Sequence, residues 1–430
     1  MATDALSPLE PEALVADESA EIGVALPPGS PPLSAVLGLP GADVREKALP
    51  IRPGDLTRLL LAQPGLPEVD RLRLAQLGPM LGSYFHHEFY QRLRDLKELY
   101  GPLDPDSDYA VIPDHTREAT DTIDEEFLAL LEATLERANY RPLKLDVIRA
   151  AIEAPNELGL NYVPDFTLFE HLNVYARGFT KLARVSRNVG TKFRKRTVLL
   201  DAYQRLVVVL KFREGAKKLG PHARTDALYL RMFKDVPHVD MEMHLPEQGT
   251  KVKMRWLDKA QIASPLMVGI PTAAAKLLLA ITISPMLLGT ALMAPLSAGV
   301  NSFFGFQRAK AKHLSHMIRN LYYLTLANNG SVLTRLIDSA EEEEYKETLL
   351  AYYFLWRHHD LAREELDRKV ETFLREATGC EINFEIDDAL SKLYRLGLAD
   401  HDDAGRLVAA PIEQGLANLE RLWAGANHAG

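Results

Sequence analysis

Apolar residues recur at helical spacing along much of the chain. The stretch PEVDRLRLAQLGPMLGSYFHHEFYQRLRDLKELYG predicts a helix with one apolar side, formed by Leu77, Leu81, Phe85, Phe89, Leu93 and Leu96. Gly101-Pro102 predicts the end of this helix. The same spacing predicts helices over residues 120–140 and 144–159, and later over residues 308–327, 332–356 and 361–377. The chain is therefore expected to be mostly helical.

A second pattern, rich in β-branched and alternating residues, lies in the middle of the chain. It predicts strands at FTLFEHLNVYARG, AYQRLVVVLKFRE, PHVDMEMHLP and TKVKMRWLD, with a short helix over residues 226–236. Residues 361–430 predict a helix, an acidic turn, a short hairpin and a final helix, which is the order of a winged-helix module. The expected fold class is α+β, with a small β-sheet and a winged-helix-like C-terminal module.

The stretch from Gln261 to Gln307 contains only one charged residue, Lys276. It is long enough for two membrane-spanning helices, over residues 262–283 and 286–306, with Pro285 at the turn between them. Basic residues flank the stretch on both sides, so both flanking regions are expected on the cytoplasmic face. The sequence thus predicts a two-helix transmembrane hairpin. The alternative is a buried helical hairpin in a soluble fold.

Several residues would shape this predicted hairpin. Small residues four positions apart would let the helices approach closely, prolines would kink them, and Lys276 would snorkel, face a partner helix or line a wet path. The small residues are Gly269, Ala273, Ala294 and Ala298, and the prolines are Pro271 and Pro295.

Composition and charge narrow the picture. The single cysteine, Cys380, excludes an intramolecular disulfide framework and a cysteine-cluster zinc site. The mean hydropathy of −0.12 excludes a polytopic membrane protein. The net charge of −9 conceals an asymmetry. The segment Tyr175–Lys234 has 16 Lys and Arg against three acidic residues, a net charge of +13, whereas residues 361–430 carry −6.

The basic segment is predicted to meet anionic lipid head groups beside a membrane. The alternatives are nucleic acid and an ordinary solvated loop. Nucleic acid is disfavoured because the basic run RVSRNVGTKFRKR holds one aromatic residue, Phe193, and because the C-terminal region is acidic. The predicted lipid-facing residues are Arg184, Arg187, Lys192, Arg194, Lys195, Arg196, Lys251, Lys253, Arg255, Lys259, Arg308, Lys310 and Lys312.

One short motif suggests a metal site. On a strand, HVDMEMHL would place His238, Asp240, Glu242 and His244 on one face, and imidazoles and carboxylates are metal ligands. Neighbours on the same face of one strand lie nearly 7 Å apart, too far to close a tight site alone. The competing interpretation is a half-buried strand with a polar solvent face.

Two further motifs that contain glutamate give weaker indications of a metal site. The motif HHEFYQ starts like a zinc helix, but Gln91 occupies the position of the second histidine, so His86 and Glu88 are expected to flank a core face. Glu341 through Glu344, and Glu347, are interpreted as the solvated start of a helix, or else as a patch that pairs with the basic segment. Phosphate loops, nucleophile elbows and CxxC pairs are absent from the sequence, and no cofactor is predicted.

Several segments together resemble a poorly characterised family, the domain-of-unknown-function proteins that include transmembrane protein 143. They are YFHHEFYQRLRDLKELYGPLDPDSD, YQRLVVVLKF, YLRMFKDVPHVDMEMHLP, KVKMRWLDK, the apolar stretch, and NLYYLTLANNGSVLTRLIDSAEEEEYKETLLAYYFL. The resemblance spans roughly residues 45–360. It implies a bacterial or organellar membrane protein and implies no catalytic residues.

These expectations divide the chain into six parts. They are a disordered Pro/Ala-rich acidic tail (1–50), a helical region (51–160), a small α+β region with a basic surface (161–260), the transmembrane hairpin (261–307), long helices (308–360) and the winged-helix-like module (361–430).

The favoured function is a membrane-anchored scaffold or regulator that presents cytoplasmic domains to partners. Its expected place is the bacterial inner membrane, or alternatively an organellar inner membrane. The expected partners are the lipid bilayer, anionic head groups, and a protein partner or a second copy of the chain. The alternatives are an oligomeric pore or membrane effector built from the hairpin, and a metal-dependent enzyme using the strand at His238.

Overall fold

A computed structural model of the chain describes a mixed α and β protein whose largest sheet has five antiparallel strands. The residues described are 45–108, 120–153, 160–163, 165–186, 196–216, 219, 223–245, 251–254, 304, 307, 311, 315, 318, 322–359, 361–403 and 405–428. The helices described are α1 (Pro53–Leu61), α2 (Glu68–Tyr100), α3 (Thr120–Arg137), α4 (Leu145–Glu153), α5 (Gly330–Arg357), α6 (Arg363–Thr378), α7 (Ile386–Arg395) and α8 (Ile412–His428).

The strands and short 3-10 helices complete this description. The strands are β1 (Arg141–Pro142), β2 (Leu160–Val163), β3 (Phe169–Ser186), β4 (Arg196–Phe212), β5 (Leu228–Pro237), β6 (Lys251–Met254), β7 (Thr325–Asn328), β8 (Ala399–His401) and β9 (Leu407–Ala409). Short 3-10 helices lie at Gly101–Leu103, Phe166–Leu168 and His238–His244.

In the part of the chain that the structure describes, no helix is long and apolar enough to cross a membrane. This finding overturns the predicted transmembrane hairpin, together with the inner-membrane location and the cytoplasmic termini that depended on it. The prediction relied on the scarcity of charge between residues 261 and 307. Many of those uncharged positions are Ala, Gly, Pro, Ser or Thr, which favour insertion far less than Leu, Ile or Phe.

Most of the predicted hairpin lies outside the described residues. Within 261–307, only Phe304 and Gln307 are described. The residues singled out there by sequence, which are Lys276, Pro271, Pro285, Pro295, Gly269, Ala273, Ala294 and Ala298, are not among them.

The five-stranded sheet has the order β1-β3-β4-β5-β7. Strands β3, β4 and β5 form a continuous meander, with Val174 opposite Val208 and Val208 opposite Arg231. Strand β4 is buried on both faces, which explains its unbroken apolar run LVVVL. Val207 and Val209 face the helices. Leu206, Val208 and Leu210 face a second, smaller core beside α4.

The helical layer is organised around α5. Its apolar residues pack with those of α2, and the Phe85 and Phe89 rings predicted to face the core are fully buried between them. The Tyr100 hydroxyl, at the end of α2, donates to the Leu228 carbonyl of β5 at 2.9 Å. The main core therefore lies between the sheet and these helices.

The break predicted at Asn328-Asn329-Gly330 joins the sheet to α5. Asn329 has a φ of 48° and a ψ of −129°, a backbone conformation that is uncommon for residues other than glycine. Its backbone N–H donates to the Leu230 carbonyl at 2.7 Å, and its side-chain oxygen accepts from the Leu230 N–H at 3.1 Å. The residues just before it form β7, which pairs with β5. The predicted helix over 308–327 was therefore wrong at its C-terminal end.

The segment Arg45–Leu49 links distant parts of the chain. Glu46 forms a parallel bridge with Ile382, and its carboxylate accepts from the Phe179 N–H of β3 at 3.2 Å. Arg45 pairs with Glu371 of α6 at 2.9 Å. After α6, the chain forms α7, the β8–β9 hairpin and α8, the order that the sequence predicts for residues 361–430.

Candidate functional site

The strand predicted to carry a metal site is not a strand. Residues 226–236, predicted as a short helix, instead contribute β5, and the 3-10 helix His238–His244 follows directly. A 3-10 helix has three residues per turn, so residues at alternate positions do not share a face. His238, Asp240 and His244 therefore do not share the face that a strand would have given them. Among the described residues, no group of three His, Cys, Asp or Glu could hold a metal ion.

The two histidines instead belong to the smaller core. His244 is fully buried, with Nδ1 3.1 Å from the Asp240 carbonyl oxygen and its ring edge-on to Phe233 at 4.6 Å. Its Nε2 has no hydrogen-bond partner among the described groups. Burial lowers the pKa of His244 to about 4, so the ring is neutral near pH 7. Burial also lowers the pKa of His238, despite the nearby Asp201.

The glutamates of α5 were predicted to be solvated, and for three of them this was wrong. Glu343, Glu344 and Glu347 are buried, with exposed fractions of 4%, 2% and 7%. Because α5 passes through the middle of the helical layer, its first half is covered by other elements. The buried carboxylates are compensated by cations from elsewhere in the fold. We call them, with Lys346, Lys392 and Arg137, the buried ion-pair network.

One end of this network holds the segment Arg45–Leu49. The Glu343 carboxylate accepts from the Leu49 N–H at 2.9 Å and from Lys346 at 2.9 Å, and Lys346 also donates to the Leu49 carbonyl at 2.7 Å. Arg177 of β3 lies 3.8 Å from the same carboxylate. The alternative in which the glutamates pair with the basic segment therefore holds for Arg177.

The other end joins α2, α3 and α7. Arg137 contacts Glu344 at 2.6 Å and Glu88 at 2.8 Å, and Glu88 also accepts from Arg395 at 2.7 Å. Burial alone would raise the pKa of Glu88, but Arg395 and Arg137 together lower it. Glu88 thus forms ion pairs with two arginines, on the helix whose Phe85 and Phe89 face the core.

Lys392 is the centre of the network. Its Nζ pairs with Glu347, lies 2.7 Å from Asp388 and lies 3.2 Å from Glu344. Glu347 also accepts from the Asn139 amide at 3.0 Å. Burial raises the pKa of Glu347 to about 7, although Lys392 opposes this shift. The pKa of Lys392 is raised in turn by Glu347 and Glu344 against its own burial.

A cleft of about 440 Å³ opens beside the network. Its wall combines charged, aromatic and aliphatic side chains from Arg45–Leu49, α3, β1, β3 and α7. The lining residues are Lys47, Glu132, Leu135, Glu136, Arg137, Asn139, Tyr140, Arg141, Pro142, Tyr175, Glu385 and Asp388. Lys47 pairs with Glu385 across it. Burial and the nearby Glu132 raise the pKa of Tyr175 to about 12. The cleft is therefore built from pre-paired charges over a partly apolar floor.

Sequence reasoning missed this cleft because its residues come from distant segments without a shared motif. One signal was present: a run of four glutamates leading into LLAYYFL, an apolar stretch too continuous for a solvated helix. Such a run on a buried helix requires compensating cations.

Only four of the predicted lipid-facing basic residues lie in the part of the chain that the structure describes. Arg184 and Arg196 belong to β3 and β4, and Lys251 and Lys253 belong to β6. The remaining members, Arg187, Lys192, Arg194, Lys195, Arg255, Lys259, Arg308, Lys310 and Lys312, lie outside the described residues. Two other cations of the basic segment form ion pairs within the chain: Lys211 pairs with the buried Asp124, and Arg224 pairs with Asp226 at the surface.

Comparison with known proteins finds a family model that matches one part of the chain. Residues 203–331 match the family described as "Protein of unknown function (DUF3754)". This supports the resemblance to a domain-of-unknown-function family. The match begins in β4 and ends at the second residue of α5, before the buried glutamates of that helix. No solved structure matches the chain.

Proposed function

We propose that this chain is a scaffold or regulator that binds a protein partner at the cleft beside the buried ion-pair network. One observation carries the proposal. The cleft is bounded by Arg45–Leu49, α3, β1 and α7. Buried ion pairs tie α3 and α7 to α5, and hydrogen bonds of the Leu49 backbone tie Arg45–Leu49 to it. A partner seated there touches several parts of the chain at once, so binding is coupled to their arrangement.

The composition of the cleft supports a protein partner. Interfaces combine a partly apolar centre with a polar rim. Here the exposed Pro142 contributes apolar surface, while the exposed Glu132 and Glu136 stand on α3 at the rim. Because Lys47 and Arg137 already have carboxylate partners, the cleft needs little rearrangement before binding.

A site-specific photo-crosslinker tests the proposal. A benzoylphenylalanine at position 136 is expected to capture one protein of defined mass in the native host, and Glu132→Lys should abolish this product. The matched control places the crosslinker at Glu126, which is exposed on the same helix but does not line the cleft. The same background products from both positions, unaffected by Glu132→Lys, would contradict the proposal.

We also propose that the family relationship extends beyond residues 203–331 to the proteins that include transmembrane protein 143. The order of the matching segments over roughly residues 45–360 supports this. The test is a structure of that protein. The corresponding region should show the same β3–β4–β5 meander followed by a 3-10 helix, and a different strand order would refute the relationship.

A further inference from the structure

A second groove, of about 420 Å³, lies between α1, α2 and the start of α5. It shares no lining residue with the cleft. Its lining residues are Pro53, Gly54, Thr57, Leu61, Ala75, Gly78, Pro79, Gly82, Glu341, Glu342 and Tyr345. Most of them are small or apolar, so the groove has an apolar floor.

Two glycines of α2 set the depth of this floor. A Cβ atom on Gly78 would lie 3.1 Å from the Tyr345 hydroxyl oxygen, and one on Gly82 would lie 3.8 Å from the Tyr345 ring. The tyrosine ring therefore rests directly against the α2 backbone. Larger residues at these positions would push the ring outward and fill the groove.

The two hydroxyl groups of the groove, on Thr57 and Tyr345, have no donor hydrogen to spare. The Thr57 hydroxyl donates its one hydrogen to the Pro53 carbonyl at 3.0 Å, so Tyr345 must donate to Thr57 across their 2.9 Å contact. Pro79 has no N–H, so the Ala75 carbonyl lacks its usual helical donor. The remaining capacity is lone pairs on the tyrosine oxygen and this carbonyl.

The charge of the groove has a single sign. Glu341 and Glu342 stand at one end, and none of the lining residues is Lys or Arg. Glu341 contacts the exposed His86 ring at 3.1 Å, and burial raises the pKa of Glu341. An occupant must therefore bring both hydrogen-bond donors and positive charge to this end.

The apolar surface continues from the groove along α2. Leu72 and Val69 are 59% and 57% exposed. Together with Ala75, Pro79 and Gly82 they follow steps of three and four residues, which places them on one side of the helix. From position 69 to position 82 this side is about 20 Å long at the α-helical rise. That length suits a helix of three to four turns better than a small molecule.

We infer that this groove docks an amphipathic helix of a partner protein, with small or aliphatic residues on one side and Lys or Arg at one end. The aliphatic side lies along α2 over the tyrosine floor. The basic end meets Glu341 and Glu342, whose carboxylates accept its N–H groups. This mode of recognition is helix-in-groove binding with electrostatic orientation. The inference does not depend on the cleft.

The test uses two labelled peptides of about 15 residues, sized from the groove, with the purified full chain. Both carry Leu and Ala on one helical side; one has three Lys in its terminal turn and the other has three Glu there. Fluorescence anisotropy should show saturable binding of the lysine peptide only. Ala75→Trp and Glu342→Lys should each weaken it at least tenfold.

Matched controls separate the groove from the rest of this acidic protein. Gln76→Trp and Glu98→Lys alter exposed residues of α2 that do not line the groove, and both should leave binding unchanged. Circular dichroism should show that every variant is folded. Equal binding of both peptides, no binding, or binding insensitive to Ala75→Trp would overturn the inference. So would a chain dimer in light scattering that Ala75→Trp dissociates, since a second copy would then be the occupant.

Discussion

The side-chain amide of Asn139 donates to Glu347 Oε1 at 3.0 Å, although 208 positions separate the two residues. Asn139 stands in the wall of the cleft with a φ of 63°, a left-handed conformation that asparagine adopts more readily than most residues. The other oxygen of Glu347 pairs with Lys392 of α7. One carboxylate therefore connects the cleft to the C-terminal helices.

Replacing Lys392 by methionine should destabilise the protein strongly. The methionine fills similar volume but leaves Glu344 and Glu347 buried without their cation, and breaking a buried pair typically costs about 3–5 kcal/mol. Urea unfolding followed by circular dichroism measures the loss. Adding Glu347→Gln to Lys392→Met should recover part of it, because one uncompensated charge is then removed.

The control for this prediction is an exposed ion pair. Arg363 pairs with Asp387 at the surface, where water screens the interaction. Arg363→Gln should leave the unfolding midpoint unchanged. Equal midpoints for Lys392→Met and Arg363→Gln would show that the buried network does not stabilise the fold.

The raised pKa of Glu347 should make the free energy of unfolding fall as the pH rises. Its folded-state pKa of about 7 lies above the ordinary value of 4.5, so the fold favours the protonated carboxyl. Its contribution is present below pH 4.5 and is lost as the pH rises through 7. The size is on the order of 3 kcal/mol from the linkage relation. The measurement is urea unfolding at pH 5, 6, 7 and 8, comparing wild type with Glu347→Gln. Parallel profiles would mean that Glu347 titrates normally.

His244 should give the opposite dependence. Its folded-state pKa of about 4 lies below the ordinary 6.5, so the fold favours the neutral ring. Its contribution is present above pH 6.5 and is lost as the pH falls towards 4, again on the order of 3 kcal/mol. His244→Asn keeps an N–H donor near the Asp240 carbonyl and removes the titration. Unfolding between pH 4 and 7 should be flatter for this variant, and an unchanged slope would contradict the assignment.

Gly178→Ala should destabilise β3 through a steric clash. Gly178 has a φ of 72°, and an added Cβ would lie 2.8 Å from Cβ of Gln204 on the paired strand. Gly405→Ala is the matched control, because its φ of 74° carries the same backbone strain with nothing within 4 Å. We expect the free energy of unfolding to fall by about 1 kcal/mol in the control and by about 1–3 kcal/mol more in Gly178→Ala.

The double variant Gly178→Ala with Gln204→Gly tests the cause. Removing the opposing side chain should make the alanine less destabilising than it is in the single variant. If thermal unfolding gives equal losses for Gly178→Ala and Gly405→Ala, the backbone conformation alone explains both.

Long periodic segments were predictable, because burial produces a recognisable pattern of apolar positions in the sequence. Helix α2, with Phe85 and Phe89 inside, and strand β4, with its run LVVVL, follow from such patterns. Residues 226–245 were misassigned, with helix and strand exchanged. The alternation that suggested a strand at His238 continues from β5, and only the positive φ of 49° at Asp235, near the end of that strand, lies near the change to 3-10 geometry.

The buried network was not predictable for a different reason. A glutamate looks the same in sequence whether water or a distant lysine compensates it. Glu347 and Lys392 are 45 positions apart, and Arg137 and Glu344 are 207 apart. Their pairing depends on how whole helices pack, which local patterns do not encode.

The contacts of the segment Arg45–Leu49 have a consequence for synthesis on the ribosome. Arg45 donates to the Ile382 carbonyl, 337 positions later in the chain. At about 5–20 residues per second, translation takes roughly 17–70 seconds to cover that distance. Until then, Arg45 lacks this acceptor. The segment Arg45–Leu49 is among the first described residues to be made, yet its contacts are completed only after residue 382 has emerged.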